Sequence, residues 1–126
     1  MSDRPSVDLW LKELKSSAML SGPVGMFLVH NGVVRPTSRA GAKVSGMILA
    51  VDRRAERAAV ERVQSMPGIA AVRVWINEGG LAVGDDIMVA LVAGDIRDNV
   101  FAALESLVAE IKSTVVEERE MSLGTS

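Results

Sequence analysis

Basic side chains are concentrated in one short loop of this sequence. The segment HNGVVRPTSRAGAKVSG (30–46) follows an apolar run and contains Arg35, Arg39 and Lys43, with no acidic residue among them. An arginine presents a planar fork of N–H donors that matches the oxygens of a phosphate, and a lysine adds a compact positive charge. These residue types predict a site for a negatively charged small molecule on this loop.

Two further cations belong to the region of the last predicted helix. Arg97 lies in its first turn, where the helix end adds its own positive potential, and Lys112 follows about four turns later. If folding gathers these two residues with Arg35 and Arg39, the four form one anion pocket. Spacing alone equally allows four unconnected surface charges, so both interpretations stay open at this point.

Most other chemistries lack their residues in this chain. There is no cysteine, which excludes disulfides, thiolate metal sites and cysteine catalysis. The only histidine, His30, lies near the end of an apolar run without an acidic neighbour, which is more typical of a strand residue than of a catalytic base. Asp85 and Asp86 follow a glycine, as is typical of turn hydrogen bonding. No bound metal or cofactor is expected, and no phosphate-binding glycine motif or serine-nucleophile motif occurs.

Length and composition are typical of a globular domain. The 126 residues, with 48% hydrophobic residues and a net charge of −2, predict one domain over residues 1–126 with frayed ends at about 1–6 and 122–126. The charge balance and the scarcity of aromatic residues argue against nucleic-acid binding. Neither a membrane span nor a signal peptide is visible, so we expect a cytoplasmic protein. Glu117, Glu118 and Glu120 are interpreted as a solvated face or the rim of an interface.

Hydrophobic periodicity predicts helices and strands that alternate along the chain. Asp95 is the expected N-cap of the last helix, and Gly46 is expected to mark a bulge or a close backbone approach. Because several strands are adjacent in sequence, the pattern predicts an α+β domain with a mostly antiparallel sheet and three helices. The predicted helices cover residues 7–17, 53–66 and 96–112, the predicted strands cover 24–34, 43–52, 69–79, 87–94 and 113–121, and 79–86 is predicted as turns.

Three segments, in this order, carry a resemblance to a known family. VGMFLVHNGVVR (24–35) is a strand that ends in Gly-x-Val-Arg, GGLAVGDDI (79–87) precedes an apolar strand, and R-x-x-x-F (97–101) opens a helix. Together they resemble the large, catalytic subunit of molybdopterin synthase. Lys112, in the pair "IK", falls where that family carries a lysine in the pair "LK". The similarity covers roughly residues 7–121 and is thin over 36–70.

The resemblance implies a fold, a reaction and partners. The fold would be a hammerhead-type α+β fold that forms a homodimer. Each large subunit would accept the Gly-Gly C-terminus of a small ubiquitin-like subunit, whose thiocarboxylate delivers sulfur to cyclic pyranopterin monophosphate. Arg35, Arg39 and Arg97 would bind this phosphorylated pterin at the dimer interface. Lys112 would position the thiocarboxylate or stabilise charge, and Arg119 aligns with a second catalytic lysine of the family.

The chain departs from the family pattern at several positions. Ile96 stands where the family has a histidine, Arg119 replaces the second lysine, STVVEE (113–118) replaces an aromatic and basic stretch, and the second strand has no tyrosine. An alternative is therefore a non-catalytic dimeric homologue that serves as a binding or scaffold module for a phosphorylated ligand or a protein partner. A third alternative is an unrelated α+β domain that binds a phosphorylated metabolite.

Overall fold

The described part of the chain folds into three helices and six strands. The structure is a computed structural model that describes residues 3–16 and 22–122. The helices are α1 (Val7–Lys15), α2 (Arg53–Gln64) and α3 (Arg97–Glu110), and α3 continues into a π-helical turn (Ile111–Val115). The strands are β1 (Met26–Val33), β2 (Val44–Val51), β3 (Ile69–Ile76), β4 (Gly79–Ala82), β5 (Asp86–Gly94) and β6 (Val116–Ser122).

The strands form two three-stranded sheets in which every pair is antiparallel. One sheet has the order β1-β5-β3 and the other has the order β4-β2-β6. Three helices combined with antiparallel sheets confirm the predicted α+β class. The pattern of the sequence did not reveal that the strands divide between two sheets, because pairing across the chain is a long-range property.

The central strand β5 explains the most apolar run of the sequence. Its neighbours β1 and β3 cover both edges, and Val89 to Ala93 are completely buried. On one face, side chains of this sheet pack against α2 and α3 in the main core, which contains Ala90, Val100 and Leu107. On the other face, Leu91 and Ala93 pack in a smaller cluster with Leu14 of α1. A strand buried on both faces shows no polar alternation.

Side-chain caps define where the first two helices begin. The hydroxyl of Ser6 accepts a hydrogen bond from the backbone N–H of Leu9, and the carboxylate of Asp52 accepts from two N–H groups at the start of α2. The prediction for α3 was wrong by one residue. The N-cap is Ile96, which has no capping side chain. The carboxylate of Asp95 instead accepts from the N–H of Ile96 and from the amide of Asn99, and these bonds lower its pKa.

The segment predicted as turns contains a short strand, β4. Gly79 and Gly80 look like turn residues, but they pair with Leu49 and Ile48 of β2, and the buried Leu81 anchors the strand to the core. Both expectations for Gly46 are confirmed. The β2–β6 register shifts next to it, and a Cβ atom at this position would lie less than 3.0 Å from the carbonyl oxygen of Leu81.

The end of α3 also differs from the prediction of an extended segment directly after Lys112. The chain makes a π-helical turn through Val115, in which the N–H of Val116 donates to the carbonyl of Ile111. Ile111 and Val115 are both buried, so one wide turn keeps two apolar side chains in the core before β6 begins. Such wide turns are frequent at functional sites.

The ends of the chain are described only in part. Residues 1, 2 and 123–126, within the ends expected to fray, lie outside the described residues, as does residue 17 at the predicted end of the first helix. Near the described start, the guanidinium of Arg4 pairs with the carboxylate of Asp86 at 2.7 Å. None of the helices within 3–16 and 22–122 combines the length and the apolar character that crossing a membrane requires.

Candidate functional site

A cavity of about 440 Å³ opens between the two sheets and the end of α3. It contains three of the five residues predicted to form the site, namely Arg35, Arg39 and Lys112. The described residues that line it are Val33, Arg35, Arg39, Met47, Ile87, Lys112, Glu118 and Glu120. Cations from a loop and from a helix end therefore meet over an apolar wall.

The basic loop that follows β1 is held as a small hairpin. Thr37 and Lys43 form a β-bridge, and the N–H of Ser38 donates to the carbonyl of Ala42 at 2.8 Å. Gly41 completes the turn with a φ of 89°, a left-handed conformation that glycine adopts without strain. This closure fixes the loop between β1 and β2, so that Arg35 and Arg39 extend over the cavity. In the described part of the chain neither guanidinium forms an ion pair.

Lys112 reaches the cavity from the π-helical turn. Its ammonium lies 3.5 Å from the carboxylate of Glu118, and about half of the lysine side chain is exposed. A pair with this exposure contributes only about 0–1 kcal/mol of stability. The contact is therefore weak enough for an entering anion to replace the carboxylate.

The two acidic side chains of the cavity were missed by the sequence interpretation. The sequence indicates only a solvated face or an interface rim for Glu118 and Glu120, whereas in the structure both line the cavity beside the cations. They are two residues apart on β6, and side chains with that spacing share one face of a strand. The alternation of side chains along the predicted strand 113–121 was the signal that could have placed these two carboxylates on the same face. The same alternation places Arg119 on the opposite face, and Arg119 does not line the cavity.

Arg97 is also outside this cavity. It is exposed in the first turn of α3, whereas Lys112 lies just beyond the other end of that helix. At 1.5 Å of rise per residue the two Cα atoms are about 22 Å apart, which is more than two extended side chains can span together with a phosphate. A single chain thus brings Arg35, Arg39 and Lys112 together and leaves Arg97 and Arg119 apart from them.

His30 is not among the residues that line the cavity, but its imidazole lies near enough to Lys112 to be affected by that charge. It is half-buried in β1, opposite Ala90 of β5. Burial lowers the pKa of its imidazole from the ordinary value, and the positive charge of Lys112 lowers it further. Both effects favour the neutral ring over the imidazolium. Nothing in the local sequence indicated this proximity, because the two residues are far apart along the chain.

The acidic pair of the glycine turn has the structural role that its sequence indicated. The carboxylate of Asp85 accepts from the N–H of Ala82 at 2.8 Å. Asp86 accepts from the amide of Asn31 at 2.8 Å and pairs with Arg4. Within residues 3–16 and 22–122 no group of three or more histidine or acidic side chains is arranged to hold a metal ion.

The charges of the cavity determine what it can bind. Three cations face two carboxylates, and Val33, Met47 and Ile87 provide an apolar wall. Guanidinium groups that form no ion pair among the described residues favour a bidentate anion such as a phosphate. The apolar wall favours a flat or aliphatic body attached to that anion. The arrangement fits a small phosphorylated molecule that is partly apolar.

Solved structures show the same fold. A molybdopterin synthase from Staphylococcus aureus matches with a TM-score of 0.68 and 19% identity, over 79% of this chain and 76% of that chain. A molybdopterin cofactor biosynthesis protein E from Burkholderia multivorans matches with a TM-score of 0.70 and 20% identity, over 96% and 84%. A complex of subunits 1 and 2 of molybdopterin-converting factor from Helicobacter pylori matches with a TM-score of 0.60 and 13% identity, over 81% and 73%.

A family model extends this likeness to the sequence. A search of curated protein sequences found no match to the chain. The model of the MoaE protein family, in contrast, matches residues 6–114, which is most of the chain. This match agrees with the resemblance inferred from the motifs, and it contradicts the alternative of an unrelated α+β domain. The chain belongs to the MoaE protein family.

Proposed function

We propose that this chain is the large, sulfur-transferring subunit of a molybdopterin synthase. Membership of the MoaE family and likeness to solved molybdopterin synthase structures support a role in molybdenum cofactor biosynthesis. The observation that carries the finer proposal is that Arg35, Arg39 and Lys112, each predicted from the sequence, line the same cavity.

The substrate in this proposal is cyclic pyranopterin monophosphate. Its phosphate would bind the guanidinium groups of Arg35 and Arg39, which have no ion-pair partner among the described residues. The pterin rings would lie against Val33, Met47 and Ile87. The phosphate or the sulfur donor would draw Lys112 away from Glu118, which is a small cost because that pair is half exposed.

The sulfur donor would be the C-terminal thiocarboxylate of a small ubiquitin-like subunit that ends in Gly-Gly. The Helicobacter pylori structure similar to this chain is a complex of two subunits of molybdopterin-converting factor, which supports the expectation of a small partner. Lys112 would position the thiocarboxylate and stabilise its negative charge while sulfur is transferred. We place this reaction in the cytoplasm, in keeping with a sequence that lacks cysteine.

A second copy of the chain would complete the site. Arg97 is too far from Lys112 to share a pocket within one chain, yet the resemblance assigns both to substrate chemistry. A homodimer in which α3 of one copy begins at the cavity of the other would satisfy both assignments. Ile96, the N-cap of α3, and Phe101, one turn beyond Arg97, are each about half exposed and supply apolar surface for that contact.

The proposal is tested by reconstitution. The purified chain is mixed with a thiocarboxylated small subunit and cyclic pyranopterin monophosphate, and the dithiolene product is measured. Lys112→Ala is expected to lower kcat about 100-fold, as the loss of one preorganised charge typically does, and Arg35→Ala is expected to raise KM. Lys43→Ala is the matched control, because Lys43 lies on the same loop but does not line the cavity. Unchanged turnover of Lys112→Ala would disprove the role of the lysine.

A non-catalytic homologue is the second candidate, and two observations favour it. Lys112 is already paired with a carboxylate, and Ile96 offers no hydrogen-bonding group where the family has a histidine. In this case the chain would keep the dimer and the anion pocket as a binding or scaffold module. Binding of the phosphorylated pterin without any dithiolene product, in the presence of a competent small subunit, would support this candidate over the synthase.

A further inference from the structure

The only histidine of the chain has no part in the reaction proposed above, yet the fold places it beside the cavity. His30 pairs with Ala90 of β5, and the side chain of Ala90 belongs to the core beneath α3. On the same strand, Leu28 packs against that core, whereas Phe27 packs on the opposite face against α1. Strand alternation therefore directs His30 toward α3 and the turn that carries Lys112.

The glycine that follows on the same face gives the imidazole its space. A Cβ atom built at Gly32 would lie 3.5 Å from Nε2 of His30 and 3.8 Å from the Cβ atom of Ile87. The ring thus extends along β1 over Gly32 and toward Ile87. Because Ile87 lines the cavity, this shared neighbour places the imidazole close to the apolar wall of the cavity.

Among the described residues, Lys112 is the charged group that acts on this ring. On β5, the carboxylate of Asp86 is engaged by Arg4 and by Asn31, which alternates to the other face of β1. On α3, Glu110 pairs with Arg62 of α2.

The remaining groups of α3 and β6 do not alter this result. Glu105 is exposed, and Arg97 and Asp98 lie at the distant first turn. Glu118 contacts the ammonium of Lys112 and tempers its charge. The positive charge of Lys112 and burial together lower the pKa of His30.

We propose that His30 is a positioning residue of the cationic cavity, and that it takes up one proton from solvent when a phosphate-bearing ligand binds beside Lys112. This inference rests on the proposed function in one respect, since the anion must enter that cavity. A bound dianion offsets the charge of Lys112 and attracts an imidazolium, so the protonated ring becomes favourable only in the complex. The additional cation then strengthens the hold on the anion.

The sign of the pH dependence follows from linkage. In the free chain the pKa of His30 is below its ordinary value. In the complex we expect a higher pKa than in the free chain, so a proton is taken up when the anion binds. Anion affinity therefore rises as the pH falls through the interval between these two pKa values, by at most tenfold per pH unit for one proton. A site built only from arginine and lysine would show no such dependence near neutral pH.

The first experiment uses the ligand-free chain. Because the sequence contains a single histidine, its imidazole signals in an NMR titration belong to His30 without further assignment. Lys112→Met is expected to raise the pKa of His30, because one neighbouring positive charge is lost. Lys43→Met is the control. Lys43 lies on the basic loop but does not line the cavity, so this variant is expected to leave the pKa of His30 unchanged. An unchanged value in Lys112→Met would overturn the inference.

The second experiment adds sulfate, a dianion that does not titrate between pH 5 and 8. Saturating sulfate is expected to raise the pKa of His30, and sulfate affinity is expected to increase several-fold between pH 7.5 and pH 5.5. His30→Gln and His30→Phe are both expected to bind sulfate with an affinity that is constant over this range. Two variants are used because glutamine keeps a polar group and phenylalanine keeps a ring, and neither side chain can take up a proton in this pH range.

The outcomes separate this inference from the proposed function. If sulfate perturbs the signals of Arg35 and Lys112 while the His30 titration is unchanged, the inference is overturned and the anion pocket stands. If sulfate does not bind to the wild-type chain at all, both the inference about His30 and the anion pocket are overturned. If the affinity of His30→Gln and His30→Phe keeps the pH dependence of the wild type, another group takes up the proton and the assignment to His30 is wrong.

Discussion

At the scale of single residues, Glu118 is the side chain that competes most directly with a bound anion. Its carboxylate lies 3.5 Å from the ammonium of Lys112, inside the cavity that also holds Arg35 and Arg39. An anion that binds Lys112 must displace this carboxylate and tolerate its repulsion. The carboxylate therefore lowers the affinity of the cavity for anions.

Removing that carboxylate charge is expected to strengthen anion binding. Glu118→Gln keeps the shape of the side chain, so sulfate affinity should rise by about two- to fivefold, the range that corresponds to an exposed ion pair of up to about 1 kcal/mol. Isothermal titration at low salt measures the change. Glu117→Gln is the matched control, since Glu117 alternates to the other face of β6 and does not line the cavity. Equal gains in both variants would indicate a general charge effect and contradict the specific role of Glu118.

The sequence could predict the cations of this site but not their neighbours. Arg35 and Arg39 lie in a segment without acidic residues, so a basic loop was visible from local composition. Glu118 reaches the cavity through the register of β6, and His30 lies near Lys112 because α3 packs on β1. Both arrangements depend on contacts between distant parts of the chain. The pairing of Lys112 with Glu118 across the π-helical turn required a conformation that no local pattern indicated.

At the scale of elements, the pairing of β4 with β2 depends on a close approach of two backbones. Gly46 is buried, and a side chain there would meet the carbonyl oxygen of Leu81, which belongs to the neighbouring strand rather than to a movable side chain. Met47, the next residue of β2, lines the cavity. The geometry of this strand pair therefore contributes to one wall of the candidate site.

Gly46→Ala is expected to destabilise the fold by about 1–3 kcal/mol, the usual cost of inserting an extra carbon into a packed region. Urea denaturation followed by circular dichroism measures the change in the free energy of unfolding. Gly80→Ala is the control in the partner strand, because a Cβ atom at Gly80 would meet no atom within 4 Å. That variant should stay within about 0.5 kcal/mol of the wild type. Equal stability of the two variants would contradict the close approach.

Most elements were predictable because their apolar patterns are local. The two elements that were missed, β4 and the π-helical turn, were missed for physical reasons. The three helices and five of the strands follow from periodicity, with ends that differ by a few residues. β4 was missed because a Gly-Gly pair is more typical of turns, and only its pairing with β2 makes it a strand. The π-helical turn was missed because Ile111 and Val115 are held by burial in the core rather than by helix propensity.

At the scale of the whole molecule, the position of Arg97 is the strongest reason to expect a second copy at the site. It begins α3, and Lys112 follows the end of the same helix about 22 Å away. In a two-fold symmetric dimer, each copy gives and receives the same surface, so an arginine that is remote from its own cavity can complete that of its partner. The dimer would then contain two identical sites, each built from both chains.

Mixing two inactive variants tests this arrangement. Arg97→Ala and Lys112→Ala are each expected to lose most activity alone. In a mixed dimer, one site combines both losses, whereas the other combines an intact Lys112 with an intact Arg97. When subunits exchange at random, half of the dimers are mixed and half of their sites are intact, so about a quarter of wild-type activity should return.

The double variant Arg97→Ala/Lys112→Ala mixed with wild type serves as the control, because its mixed dimers contain two sites with one loss each. Failure to recover activity in dimers shown by native mass spectrometry to have exchanged would mean that Arg97 does not act across the interface.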